Sequence, residues 1–399
     1  MQTLRHLLVL ASGMLALTSG AATQPTPQPS TPGAALARLF TAKTIEGGWF
    51  APVFLAQVPV ERVQTIVAGI VAQLGAFERA DPNSDGTFTL RFERGTNQAQ
   101  IHLDAGGRID GLFFRPPQLT SLSLDAALAQ LAGSPGVVSY IVIENGRVRA
   151  AREPQRALAV GSTFKLAILR GLVDRIARGA LHWDETATLP ASDKSLPSGI
   201  LQTWPDGAPL TLATLATLMI SQSDNTAADV LARVVGPSAL APYAMGNEPF
   251  PTTRELFIVK ADPVLRAVWR SGDSAARRRV LAQADARQLP ALASIDSDPA
   301  DLDIEWHYSV QALCDLIEPL ASLPLMAVNP GLALPDDWAR VAYKGGSDIG
   351  VINLTTALTA KDGRRICVSA TENNPKDILD DQQFGLRYGA VLASLRTAG

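Results

Sequence analysis

Two serines and two lysines are placed where they could do chemistry together. Ser162-Thr163-Phe164-Lys165 opens a stretch in which Leu166, Leu169, Leu172, Val173 and Ile176 recur at helical spacing, so the pattern predicts a helix with Ser162 at its start. Residues three apart on a helix are neighbours, which brings the Lys165 amine beside the Ser162 hydroxyl. A serine at its free pKa is a weak nucleophile and needs a base within hydrogen-bond reach. An amine desolvated among apolar neighbours gives up its proton more readily and suits that task. The chemistry this implies is covalent catalysis through Ser162.

Two further clusters follow along the chain. Ser223-Asp224-Asn225 lies 61 residues after Ser162, preceded by Leu215, Leu218, Met219 and Ile220 and followed by Thr226, Ala227 and Ala228. Lys344-Gly345-Gly346-Ser347 follows a strand expected over Val341 to Tyr343. Each cluster alone is common: a serine three before a lysine occurs in many chains, and Ser-Asp-Asn is a frequent turn.

Taken in order, the three motifs resemble those of class A β-lactamases and penicillin-binding proteins, and the resemblance covers roughly residues 121 to 399. It implies an α+β, β-lactamase/transpeptidase-like fold, an antiparallel sheet plus a helical subdomain. It further implies Ser162 as the acylated nucleophile, Lys165 as its base and Ser223 as the group that relays a proton to the leaving nitrogen. Asn225 would bind the amide side chain of the substrate, and Asp224 would hold the turn. Lys344 would attract the substrate carboxylate, and the N–H groups of Ser162 and Ser347 would form an oxyanion hole, worth about 2.7–4 kcal/mol per donor. The implied partner is a small molecule, a β-lactam or a related amide or ester; D-alanyl peptides or simple esters are the alternative on the same site. A third possibility is a non-catalytic periplasmic binding or sensing module. No cofactor is implied.

Three features depart from the family pattern. Gly345 stands where a Thr or Ser hydroxyl is usual. The deacylating glutamate has two imperfect candidates, Glu255 in Thr252-Thr-Arg-Glu255 and Asp262 in Asp262-Pro-Val-Leu265, and the sequence does not choose between them or neither. Finally, 121 residues separate Ser223 from Lys344, more than compact class A enzymes use, so extra sequence around Ala282 to Tyr308 is expected to reshape the cleft rim. Within it Trp306 is read as core in preference to cleft wall.

The elements that must hold these groups come from both ends of the region. Val137 to Ile143 and Val148 to Ala151 flank Glu144-Asn-Gly146, a strong hairpin signal, and Ile349 to Leu358 and Arg365 to Thr371 flank Lys361-Asp-Gly363. An antiparallel sheet around an inserted helical block is the expected result. Before it, residues 34–118 form a separate small α+β unit. Val60, Val63, Ile66, Val67, Ile70, Val71 and Leu74 predict a long amphipathic helix. Strands are expected at Thr87 to Glu93, Ala99 to Leu103 and Ile109 to Phe114, with turns at Gly95-Thr-Asn97 and Asp104-Ala-Gly-Gly107. This unit resembles the cone-like fold of nuclear transport factor 2 and ketosteroid isomerase. Asp104 or Asp110 could be its catalytic carboxylate, although a structural or docking role fits better.

Arg5, the apolar run Leu7 to Leu17 and Ser19-Gly-Ala-Ala22 read as a signal peptide over residues 1–22, followed by a Pro-rich linker at 23–33. The expected location is periplasmic or secreted, with no membrane contact after signal removal. With 35 Lys plus Arg against 38 Asp plus Glu, the chain carries a formal charge of −3, which does not favour nucleic acid. Arg277-Arg278-Arg279 reads as a solvated helix face. His6, His102, His182 and His307 have no metal-ligand spacing, and Asp296, Asp298, Asp301 and Asp303 lack the turn glycine of a calcium loop. Cys314 and Cys367 are taken as two buried free thiols.

Overall fold

The computed structural model describes residues 31–115, 117–119, 122–291, 295 and 302–396. The signal-peptide reading, most of the Pro-rich linker and the acids Asp296, Asp298 and Asp301 lie outside the described residues. The chain divides into two compact units, 1–122 and 123–399.

In the first unit, α1 (Pro32–Thr41) starts at Thr31, whose hydroxyl accepts from the Ala34 N–H, with proline in the first turn where no N–H is needed. A one-turn helix, α2 (Pro52–Leu55), precedes α3 (Val60–Leu74), the helix expected from the apolar spacing. Its buried stripe is Val63, Val67, Ile70 and Leu74, and it ends at Gly75, whose φ of 81° few other residues adopt. Five strands follow: β1 (Phe77–Pro82), β2 (Phe88–Phe92), β3 (Gly95–Leu103), β4 (Ile109–Phe114) and β5 (Gln118–Leu119). The antiparallel order is β1-β2-β3-β4, with β5 also pairing β3. Leu36, Leu39, Leu90, Phe92, Ala99 and Ile109 complete the core with the α3 stripe. The expected turn at Gly95 to Asn97 is displaced: Phe92 pairs Gly95, so the tight loop is Glu93-Arg94 and Gly95 to Asn97 belong to β3. There the side chain of Asn97 donates to Arg115 O at 2.6 Å, which keeps it inside the ladder rather than in a turn.

The second unit opens with α4 (Leu124–Ala132), capped by Ser123, and then β6 (Val137–Glu144) and β7 (Arg147–Arg152). Asn145 and Gly146, with φ of 50° and 75°, make the two-residue turn between them. After β8 (Leu158–Ala159), a single 3₁₀ turn at Gly161–Phe164 runs into α5 (Lys165–Ala177). A small hairpin of β9 (Thr186–Thr188) and β10 (Pro209–Thr211) precedes the helical block α6 (Leu212–Ser221), α7 (Asn225–Val235), α8 (Pro237–Ala244), α9 (Thr253–Ala261), α10 (Pro263–Ser271) and α11 (Ser274–Asp285). Next come β11 (His307–Tyr308), α12 (Val310–Ile317), the strands β12 (Arg340–Asp348), β13 (Val351–Thr359) and β14 (Arg365–Asn373), and α13 (Asp381–Ser394).

The main sheet runs β12-β13-β14-β6-β7, antiparallel throughout, so strands from the two ends of the unit meet at β14–β6. This is the α+β arrangement anticipated, a sheet with a helical block inserted between its halves. α5 is buried through its first half, by Leu166, Ala167, Ile168, Leu169 and Leu172, while Arg170, Asp174 and Arg175 lie on its partly exposed side. Two strand expectations shift. β12 continues through Lys344 to Ser347 because each residue pairs with β13, and Ile349-Gly350 form the tight loop, Gly350 having φ 70°.

The cysteine expectation is wrong: Cys314 on α12 and Cys367 on β14 form a disulfide, with Cα atoms 5.9 Å apart. α12 packs across β14 and brings the two side chains together in the core, a tertiary contact that local pattern does not reveal.

Candidate active site

Ser162 sits in the 3₁₀ turn that leads into α5, and this turn packs against β12. Both backbones are glycine where they meet. A Cβ on Gly346 would stand 2.5 Å from the Ser162 nitrogen, and one on Gly161, at φ +50°, would stand 2.8 Å from the Ser347 nitrogen. Side chains at either place would prise the two segments apart. The backbone nitrogens of Ser162 and Ser347 therefore lie along one seam.

Lys165 is fully buried, and its Nζ lies 3.1 Å from Ser162 Oγ, 3.2 Å from Ser223 Oγ, 2.5 Å from Ser223 O and 2.6 Å from Asn225 Oδ1. Burial pushes its pKa well below the ordinary lysine value, and the Lys344 charge pushes the same way against Asp229 and Asp224. No carboxylate among the described residues hydrogen-bonds it. A neutral amine in this position can accept the Ser162 proton.

Ser223 has φ 56°, a left-handed conformation that is costly for serine and recurs at functional sites. What holds it there is Asp224, whose carboxylate accepts from Ala227 N at 2.8 Å, Ile200 N at 2.7 Å and Leu201 N at 3.0 Å, capping α7 and pinning the 199–201 loop. Lys344 Nζ reaches Ser223 Oγ at 3.0 Å and Gly345 O at 2.5 Å, and burial lowers its pKa to about 7. Ser162, Lys165, Ser223, Asn225 and Lys344 thus form one cluster, with Ser347 at its edge on β12. Asn225 differs in detail from its expected part: Oδ1 holds Lys165, while Nδ2 donates to Leu196 O at 3.0 Å.

Sequence reading missed the support beneath. Asp229, one turn after Asn225 on α7, accepts from Thr253 N, Thr253 Oγ1 and Arg254 N at 2.7–2.9 Å, and Ser195 Oγ lies 2.7 Å from Thr253 Oγ1, whose lone pairs can accept its proton. Burial raises the Asp229 carboxyl to about 7. The i, i+4 spacing from Asn225 was the available signal. A second buried group ties β12 to the helical block: Lys260 of α9 pairs with Glu305 and, at 2.5 Å, with Asp348, the residue after Ser347.

The two candidate water-positioning acids are both employed elsewhere. Glu255 accepts from Thr252 N at 2.7 Å and Thr252 Oγ1 at 2.8 Å, a capping box at the start of α9. Asp262 caps α10 through Val264 N and Leu265 N and pairs with Arg287. Neither hydrogen-bonds Ser162, Lys165 or Ser223. Trp306 is buried and stacks on Phe164 with ring centroids 3.6 Å apart, so it is core beneath the Ser162 turn, as expected. Arg277 covers the Trp269 ring, while Arg278 and Arg279 are exposed on α11. In the first unit, Asp104 caps its own turn through Gly106 N and Arg108 N, and Asp110 pairs with His102 at 2.5 Å. Among the described residues no cluster of His, Cys, Asp or Glu could hold a metal ion, and no helix is long and apolar enough to cross a membrane.

Residues 123–256, about a third of the chain, match the family described as Beta-lactamase enzyme family. This stretch carries Ser162, Lys165, Ser223 and Asn225 and stops short of Lys344. Among solved structures, a β-lactamase from Sphaerobacter thermophilus is similar at 20% identity, covering 68% of this chain and 94% of that one, with a TM-score of 0.48. A β-lactamase from Xanthomonas campestris is similar at 18% identity, over 68% and 96%, with a TM-score of 0.48. The structure described as PBP-A is similar at 14% identity, over 68% and 94%, with a TM-score of 0.47. No curated protein matches the chain in sequence.

Proposed function

We propose that this protein is an acyl-transferring serine hydrolase in which Ser162 takes the acyl group of a β-lactam or a related amide or ester. The observation that carries the reading is the Lys165 amine, buried, 3.1 Å from Ser162 Oγ and hydrogen-bonded to no carboxylate among the described residues. The Ser162 proton passes to Lys165 as the oxygen attacks the carbonyl carbon. The oxyanion is stabilised by the N–H groups of Ser162 and Ser347. As the carbon–nitrogen bond breaks, Ser223 gives its proton to the leaving nitrogen and recovers one from Lys165, whose Nζ is 3.2 Å away. Lys344 attracts the carboxylate of the substrate, and Asn225 keeps Lys165 in place.

Hydrolysis of the acyl-enzyme needs a positioned water. With Glu255 and Asp262 committed to helix caps, turnover is slow and the acyl-enzyme accumulates. This favours penicillin-binding or esterase behaviour over rapid antibiotic destruction. The disulfide supports an oxidising, exported location, in keeping with the leader expected at residues 1–22. The first unit serves as a structural or docking domain of the cone-like kind, without chemistry of its own.

Intact-mass spectrometry after exposure to benzylpenicillin tests the proposal. The expected result is a stoichiometric adduct confined to the Ser162 peptide, lost in Ser162→Ala and decaying over minutes to hours. A chain that stays unlabelled across several β-lactams and p-nitrophenyl acetate refutes it.

A further inference from the structure

Tyr343 and Gly345 lie two apart on β12 and therefore point to the same face, opposite Thr356 and Leu354 of β13. They are matched in shape. A Cβ on Gly345 would stand 2.1 Å from the Tyr343 hydroxyl oxygen and 2.9 Å from Cζ, so the phenol lies along the strand over Gly345. The ring also lies close against Gly331, at φ +61°, where a Cβ would stand 2.5 Å from Tyr343 Cδ2. Two glycines thus shape a slot for one tyrosine, which delivers its hydroxyl beside the residue that follows Lys344.

That hydroxyl hydrogen-bonds no described residue, although a largely enclosed phenol ordinarily finds a partner. Desolvation raises its pKa to about 12, so it remains a protonated donor. Leu354, across from Gly345, carries no charge, the neighbouring Tyr388 hydroxyl is engaged with Thr356 Oγ1 and Val368 O, and Lys344 already donates to Ser223 Oγ and Gly345 O.

We propose that Tyr343 is a specificity residue: its hydroxyl donates to the anionic group of the substrate that Lys344 attracts, in the space left by the absent side chain of Gly345. The inference rests on the reading of Ser162 as the acylated residue. It assigns the site to acyl donors bearing a single carboxylate, recognised by one amine and one phenol. A neutral donor makes no use of the phenol.

The test compares benzylpenicillin, which carries a carboxylate, with p-nitrophenyl acetate, which does not, on the full chain and on Tyr343→Phe. Acylation efficiency with benzylpenicillin is expected to fall about tenfold, through weaker binding, while the ester changes less than about twofold; tenfold corresponds to about 1.4 kcal/mol. Equal changes on both donors, or none, overturn the role of Tyr343. Because removal of the hydroxyl could also loosen the strand, a second pair resupplies it from another atom. Tyr343→Ala should lose the preference for the carboxylate donor, and Tyr343→Ala with Gly345→Thr should regain it; no recovery counts against the proposal. If neither donor labels Ser162 in the unaltered chain, the reading of Ser162 fails, and this inference with it.

Discussion

Oδ1 of Asn225 accepts a hydrogen bond from Nζ of Lys165 at 2.6 Å. A carbonyl oxygen can orient the amine without adding charge beside it, and that neutrality separates a base from an ion pair. Asn225→Asp keeps the shape and puts a negative charge in the same place. An opposite charge at this distance raises an amine pKa by roughly 1–3 units, so acylation at pH 7 should fall by roughly 10² and recover at higher pH. The measurement is the rate of adduct formation against pH. A loss of rate with no shift of the rising limb would mean that Lys165 is not the base.

Lys344 gives the opposite limb. Burial lowers its pKa to about 7, so its positive charge disappears as pH rises through that value. Acylation by a carboxylate-bearing donor should rise as Lys165 becomes neutral and then decline above about pH 7 as Lys344 discharges. Acylation by p-nitrophenyl acetate should rise without declining. In Lys344→Met the two donors should share one profile, the carboxylate donor being slower by roughly tenfold or more. Parallel declines for both donors in the unaltered chain would separate Lys344 from carboxylate recognition.

What could be read in advance depended on how local the cause was. α3 was legible because Val63, Val67, Ile70 and Leu74 fall on one helical face, and the β6–β7 turn because Asn145-Gly146 accepts positive φ. Ser162 and Lys165 are three residues apart, so their meeting is also local. β1 went unread because it is an edge strand, with Glu78 and Arg79 exposed and Pro82 at its end, where no ladder N–H is required. The pairing of β8 with β11, the disulfide, and the meeting of Lys260 with Glu305 and Asp348 join segments tens to more than a hundred residues apart. No short-range pattern encodes such pairs. Tyr343 was passed over for a related reason: its hydroxyl gains meaning only from Gly345 and Gly331, which fix where it lies.

The Lys260 cluster makes a stability prediction. Desolvation alone would lower the Lys260 pKa, but Glu305 and Asp348 outweigh it and hold it above the ordinary lysine value. At the alkaline end its contribution is therefore lost only as pH rises through that raised pKa, and toward acid it lasts only while the two carboxyl groups stay charged. Burial opposes ionisation of Asp348, but Lys260 prevails and lowers its pKa, so that share is lost as pH falls below the ordinary aspartate range. Lys260→Met leaves two carboxyl groups without a cation and should destabilise the fold by roughly 3 kcal/mol near pH 8. Glu305, already raised to about 7 by burial, is protonated at pH 5, so the loss should be smaller there. Urea unfolding at both pH values checks this; equal losses would show that the cluster is not coupled as described.

The disulfide between Cys314 and Cys367 closes a loop with a sequence separation of 53 residues. Restricting an unfolded chain over a loop of that length is worth about 4 kcal/mol in the chain-entropy account. Both cysteines are fully buried where α12 meets β14, and α12 also packs on α5, the helix that begins at Lys165. Cys314→Ala with Cys367→Ala should therefore lower the urea midpoint substantially, and reductant should lower that of the unaltered chain but not of the variant. Because the Lys165 contacts lie in the turn before α5, in the turn before α7 and at the first residue of α7 rather than on α12, the folded variant should still be acylated at a rate within a few-fold of the original. A variant of unchanged stability would show that packing alone holds α12 against the sheet, whereas loss of acylation in a fully folded variant would show that the α12–β14 bridge sets the position of Lys165.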